Sequence, residues 1–250
     1  HANGASYKGR SIGTLGDIGC FSFGQSKNMT TGEGGMFVTN NPDFFHAAER
    51  LRRYVAVGKK HIHKPIRFGQ FCQPKEYKDW HAQGSYTSSY SDSILLGHNY
   101  RMSEITAAIG RVQLRKLQSN NAKRRKVSEL LDFTLSQIPG IEIQKIYDGY
   151  SHVHHLYTFF IERSLCSNLR DRLIHWLQNK ENIEITLRYF PIHLLPEFRA
   201  NGHKHGECPV AEETYFNRQI QLPIYPSQTQ VEIKYLSEAI KRGLLNLISN

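Results

Sequence analysis

Residues 17–41, "DIGCFSFGQSKNMTTGEGGMFVTNN", decide how the rest of the sequence is read. The run "CFSF" puts Phe21 and Phe23 on one face and Cys20 and Ser22 on the other, the period of a half-buried strand. "GEGG" at 32–35 is a turn, and "MFVTN" after it is a second short strand that stops at Asn40-Asn41-Pro42. Between the two strands stands one lysine, Lys27. Its neighbours are Ser22, Ser26, Asn28, Thr30 and Thr31 rather than other charges.

Two readings of Lys27 stand on the residues alone. It is a solvated lysine in a polar loop, or it is a nucleophile that forms a Schiff base with an aldehyde cofactor. An amine must be neutral to attack a carbonyl, so such a site has to desolvate it or place positive charge nearby. Hydroxyls and backbone N–H groups can bind a phosphate, and glycines let the backbone come close to one. Ser22 lies five residues before Lys27, so it could hold a cofactor phosphate while the lysine reaches the aldehyde.

The 250 residues suffice for one large domain or two modest ones, and 39% hydrophobic with 11% aromatic content is that of a soluble globular protein. No run approaches a membrane span, and no secretory signal is visible. The chain opens at His1 rather than Met, inside a strand-to-loop passage, so an upstream part is expected. Cys20, Cys72, Cys166 and Cys208 form no C-x-x-C pair, which fits reduced thiols of a cytoplasmic enzyme better than disulfides or zinc. A net charge of +10 points to anionic partners. The basic residues are spread out, and no nucleic-acid reader motif accompanies them.

A helix is expected from Asp43, with Phe45, Ala48 and Leu51 at helical spacing. Residues 56–97, with Lys59, Lys60, Lys64 and Arg67, hold no sustained period and read as a long loop, either functional or a disordered insertion. Ser103 is a helix N-cap with Glu104 in the first turn, and the apolar stripe from Ile105 runs on to Leu135. The polar stretch "QSNNAKRRK" is expected to bend or break that helix where it leaves one domain for the next. The remainder reads as α+β: strands at "IEIQKI", "HHLYTFFIE" and "IEITLRYF", a helix at "NLRDRLIHWLQN", and a last helix from Gln230 to about Ile248. The expected division is 1–120 and 121–250.

"SFGQSKNMTTGEGGMFVTN" resembles the lysine segment of the DegT/StrS-like sugar aminotransferases, pyridoxal-phosphate enzymes of fold type I. "GHNYRMSEITAAIGRVQLRKL", "HLYTFFIE", "YFPIHLLPEF" and "CPVAEE…LPIYPSQT" resemble successive blocks of that family, in order. The resemblance implies an α/β, aspartate-aminotransferase-like large domain, N-terminally incomplete here, and a small C-terminal α+β domain. Lys27 matches the Schiff-base lysine that then moves the proton as general acid/base. Relatives that dehydrate sugars at carbon 3 carry histidine there, so lysine implies amino transfer. Ser22 matches a serine that binds the cofactor phosphate. Asn99 matches an asparagine that reaches the phosphate from the neighbouring subunit, implying a homodimer with shared active sites.

His1 matches the last position of an Asp-x-x-His/Gln motif beside the cofactor's ring hydroxyl; the motif's aspartate would precede the chain. Arg101 is a weaker candidate for an anionic part of the substrate, and Tyr189 and His193 match a loop near the sugar cleft. The histidines of "HVHH" (152–155) and "HKHGEC" (203–208) tempt a metal reading, but no second pair sits at a complementary spacing, so no metal is expected. The implied reaction moves an amino group, from glutamate in the family's habit, onto a nucleotide-linked keto sugar for polysaccharide, lipopolysaccharide or antibiotic sugar synthesis. A keto-cyclitol acceptor, or a non-catalytic regulator that binds cofactor or nucleic acid, are the rival readings.

Overall fold

The computed structural model describes residues 1–52, 98–165 and 168–248. The long segment expected at 56–97, with Lys59, Lys60, Lys64 and Arg67, lies outside them, as do Cys72 and Cys166. By backbone packing the chain divides into two units, Arg10–Leu114 and His1–Gly9 with Arg115–Asn250. The expected cut at 120/121 left residues 1–9 with the lysine segment. No helix among the described residues is long and apolar enough to cross a membrane.

In the unit 10–114, a short strand β2 (Arg10–Ser11) precedes β3 (Ile18–Ser22), which pairs antiparallel with β4 (Gly35–Thr39). Ile18 faces Thr39 and Ser22 faces Gly35. Gly19 lets the preceding loop lie against β3, because a Cβ there would fall 1.9 Å from the Gly13 carbonyl oxygen. Asn41 caps α1 (Pro42–Leu51): its Oδ1 accepts from the Asp43 and Phe44 N–H groups at 2.8 and 3.3 Å. Helix α2 (Glu104–Leu135) starts as the sequence indicates, with Ser103 Oγ accepting from the Thr106 N–H at 3.2 Å.

The expected break in α2 is absent. The helix is continuous through "QSNNAKRRK" because tertiary partners take up its polar groups. Asn121, buried, donates from Nδ2 to the Asn3 carbonyl at 2.8 Å. Arg124 donates from Nη1 to the carbonyls of Ile224 and His154 at 2.9 and 3.3 Å. The first of these bonds also explains why residues 1–9 belong with the later unit. Strand β1 (Ser6–Tyr7) adds to it by pairing antiparallel with β6 (Tyr150–Ser151), with the Lys8 N–H on the Gly149 carbonyl at 2.6 Å.

The core of that unit lies on an antiparallel sheet in the order β5 (Ile141–Ile143), β7 (Tyr157–Ile161), β8 (Gln219–Leu222). The strand β8 was not anticipated, and the strand expected at "IEITLRYF" is not formed. Ile183 and Ile185 are buried there in strand-like alternation, but no ladder joins them to a neighbour. Side chains of β8 replace the ladder: Gln221 Oε1 accepts from the Arg188 N–H at 2.8 Å, and Gln219 Nε2 donates to the Arg188 carbonyl at 3.1 Å. Helices α3 (Leu169–Asn179) and α6 (Gln230–Ile248) and the last turns of α2 cover the sheet with Leu131, Leu135, Leu173, Leu177, Ala239 and Ile240. Short helices α4 (Pro196–Ala200) and α5 (Pro209–Glu213) precede β8.

Phe159, fully buried between Ile143 and Ile220 in register, anchors this core. Phe159→Ala should cost about 3–5 kcal/mol in urea unfolding; a loss under about 1 kcal/mol would mean that the sheet is not the core. His154 offers a pH test. Its ring is buried, and desolvation together with His152, Arg125 and Arg124 lowers its value from 6.5 to about 4. The unfolded chain therefore binds the extra proton between those values, and stability present above pH 6.5 is lost as pH falls toward 4. The loss should reach roughly 3 kcal/mol at most. His154→Asn, which tolerates the φ of 42° there, should flatten this slope; an unchanged slope would assign it to other groups.

Candidate active site

The lysine loop is closed by the backbone of Phe23. Its N–H donates to the Gly34 carbonyl at 2.8 Å, and its carbonyl accepts from the Thr31 N–H at 2.9 Å and the Thr30 hydroxyl at 3.2 Å. Within that closure the Lys27 N–H donates to the Gly24 carbonyl at 3.0 Å, which makes a turn of residues 24–27. Lys27 and Ser22 are half-buried, Asn28 and Met29 are buried, and Ser26 is exposed. A Cβ on Gly24 would stand 3.8 Å from Ser22 Oγ and 3.6 Å from Glu33 Oε2, so these groups share one corner of the loop. Buried Thr31 is seated against Gly110 of α2, where a Cβ would come within 2.9 Å of the Thr31 methyl. Glycine at that helical position therefore sets how closely α2 supports the loop.

Asn99 and Arg101 are joined to each other. Arg101 Nε donates to Asn99 Oδ1 at 2.9 Å, and both residues are exposed. With its carbonyl end so engaged, Asn99 presents its amide NH2 as the donor end, the polarity a phosphate requires. Their segment is tied to the end of α1: the His98 and Tyr100 N–H groups donate to the Leu51 and Arg52 carbonyls at 2.8 and 3.0 Å. The rings of His98 and Tyr100 stack at 4.9 Å.

In the other unit, His1 and Tyr189 come together although 188 residues separate them. Tyr189 Oη lies 3.1 Å from His1 Nε2, and their rings are near-parallel, 5.5 Å apart. His1 also stacks on the buried ring of His155, with centroids 4.1 Å apart and planes 22° from parallel. Sequence reasoning placed His155 only among the "HVHH" histidines. Nothing local marks it, since the contact joins residues far apart in the chain.

His193 is used differently. Its Nε2 donates to Glu212 Oε1 at 2.7 Å, and both side chains are nearly inaccessible. Glu212 also takes His205 Nε2 at 3.0 Å and the N–H groups of Gly206 and Cys208 at 2.9 and 3.3 Å. Burial opposes ionisation of this carboxyl, but the Gly206 N–H, the His193 ring and the Cys208 N–H outweigh it and hold it below the ordinary carboxylate range. Glu212 was missed as an individual residue; its place three residues past Pro209 and four past Cys208, reaching back to the N–H before α5, resembles helix capping. A groove of about 610 Å³ opens beside Tyr189, lined among others by Pro191, Cys208, Val210, Tyr215 and Gln219.

These side chains fit a phosphorylated aldehyde. The donor set of the loop is an amine, hydroxyls and amide groups, and the acid among them, Glu33, is exposed and can turn outward. No group of three or more His, Cys, Asp or Glu among the described residues could hold a metal ion. In "HKHGEC", His203 pairs with Glu207 at 3.0 Å while His205 pairs with Glu212, so the histidines do not converge.

The model of the DegT/DnrJ/EryC1/StrS aminotransferase family matches residues 1–241. An uncharacterized protein of Methanocaldococcus jannaschii, MJ1066, is 33% identical over 243 residues, covering 97% of this chain and 58% of that protein. GDP-perosamine synthase of Escherichia coli O157:H7 is 29% identical over 239 residues, covering 96% and 55%. The crystal structure of S. venezuelae DesV in complex with a ketimine intermediate superposes with a TM-score of 0.73 at 27% identity, over 96% of this chain and 54% of that one. The chain thus spans little more than half the length of the curated relatives it matches.

Glu212→Gln should lower the urea midpoint at neutral pH. The carboxylate's contribution is present above the ordinary carboxylate range and is lost as pH falls through its depressed value, so the two proteins should converge in acid. A difference that persists unchanged at low pH would remove the charge of Glu212 from the account.

Proposed function

The chain belongs to the DegT/DnrJ/EryC1/StrS aminotransferase family, and on that premise we propose that it carries the catalytic lysine of a pyridoxal-phosphate-dependent sugar aminotransferase. The observation that carries this reading is Lys27 itself: half-buried in a loop closed by both backbone groups of Phe23, its N–H on the carbonyl of Gly24, the residue beside which the Ser22 hydroxyl stands. When bound, pyridoxal 5'-phosphate supplies an aldehyde for the amino group in transit and a ring that accepts electrons.

The chain's own residues take four tasks. Lys27 Nζ would hold the cofactor at its aldehyde and would serve as the acid/base that moves a proton at the reacting carbon. Ser22 Oγ donates to the phosphate. Asn99 Nδ2 does the same for the phosphate of a second subunit, which makes the enzyme a homodimer; Arg101 orients it through Oδ1. By the family resemblance, His1 would stand beside the ring hydroxyl. Tyr189, on the rim of the 610 Å³ groove, is the residue nearest to a substrate role, whereas His193 spends its Nε2 on Glu212.

The acceptor is a keto sugar, and the resemblance to a synthase named for a GDP-linked product favours a nucleotide-linked one. Glutamate is the proposed donor, and the cytoplasm the proposed site of work. The surplus of positive charge, +10 over the chain, suits an anionic substrate of this kind.

Full-length protein mixed with pyridoxal phosphate should develop a visible absorption band, and borohydride should fix the adduct on the peptide containing Lys27. Lys27→Ala should abolish both and reduce amination of a nucleotide-linked keto sugar by at least about 10²-fold. A band that survives the substitution, or an adduct on another peptide, would remove Lys27 from the role. Amination of a keto-cyclitol in preference to the nucleotide sugar would reassign the acceptor.

A further inference from the structure

We propose that Tyr189 and His155 are positioning residues for His1: together they fix the plane of its imidazole and the nitrogen that carries its proton. The inference rests on the reading above, in which His1 stands beside the cofactor ring, and it moves Tyr189 from substrate contact to control of His1.

A histidine side chain turns about two bonds, so a ring that must meet a planar partner needs at least two restraints. His155 supplies one from the face. Its buried ring, 4.1 Å away and 22° from parallel, sets the plane in which the His1 imidazole lies. Tyr189 supplies the other at the edge, where Oη lies 3.1 Å from Nε2 and stops rotation within that plane. The two are held by different parts of the fold. His155 lies two residues before β7, whose residues are core, and Tyr189 follows Arg188, whose N–H and carbonyl are gripped by Gln221 and Gln219 of β8. The anchoring of Arg188 thus passes to the Tyr189 hydroxyl and from it to His1.

The hydroxyl also chooses a tautomer. A phenol can donate to an imidazole nitrogen that lacks a proton or accept from one that bears it. As the better donor, Tyr189 Oη gives its proton to Nε2, and the neutral His1 ring then carries its hydrogen on Nδ1. One face of the pairing is exposed, Tyr189 being 53% accessible, so the arrangement does not serve to fill the core.

The test is nitrogen NMR on full-length protein without cofactor, with the His1 resonances assigned by their loss in His1→Gln. Wild type should show His1 mainly as the Nδ1–H form. Tyr189→Phe, which keeps the ring and removes the hydroxyl, should shift the population toward Nε2–H at an unchanged unfolding midpoint. His155→Phe keeps a stacking face and should leave the tautomer alone, while His155→Ala should broaden the His1 signals as the plane is released. With cofactor added, Tyr189→Phe should weaken its binding about threefold to tenfold, the loss of one orienting hydrogen bond. An unchanged tautomer ratio in Tyr189→Phe overturns the inference. Wild-type protein that binds no cofactor would instead overturn the functional reading, and the tautomer measurement, made without cofactor, separates the two failures.

Discussion

Phe23 holds the lysine segment with both of its backbone groups at once, the N–H on Gly34 and the carbonyl on Thr31 and Thr30. A lysine side chain is long and flexible, and fixing it for chemistry is costly in entropy. The cost falls when the loop that carries it is already closed by its own strands. Here the closure continues the β3–β4 pairing beyond Ser22, so Ser22 and Lys27 are placed by the same ladder. Thr31, one end of the closure, is in turn backed by α2 at Gly110. Helix propensity alone would favour alanine over glycine there; the close approach of Thr31 explains the exception.

The C-terminal unit relies on a different device, buried polar side chains that bond to distant backbone. Asn121 on Asn3, Arg124 on Ile224 and His154, and Gln219 and Gln221 on Arg188 join segments that no ladder connects. Each of these groups would be expensive to bury without its partner, so each also specifies one arrangement. The same economy governs Glu212, which gathers two imidazoles and two amides around one carboxylate. Such joints are what bring His1, His155 and Tyr189 to one place within that unit.

Local patterns carried much of this. The strand period of "CFSF", the turn before "MFVTN", the Ser103 cap, the stripes of α2 and α6 and the position of Lys27 five residues after Ser22 are all short-range, and steric and capping rules act over a few residues. The family resemblance rested on such blocks in order. What the pattern misjudged depended on partners far away in the chain. "QSNNAKRRK" reads as a break only while its side chains are imagined in water, and "IEITLRYF" reads as a strand only while its edge is imagined paired to backbone.

The sequence by itself therefore determined the lysine hairpin, the start of α2, the course of α1, α3 and α6, and the family, because each is written in neighbouring residues. Tertiary structure alone decided that residues 1–9 join the later unit, that β8 takes the sheet edge, that His193 answers to Glu212, and that His155 and Tyr189 flank His1. The physical reason is the range of the forces involved. Backbone sterics and capping act within a turn, whereas a buried hydrogen bond or ring stack exists only once folding has removed water from both partners.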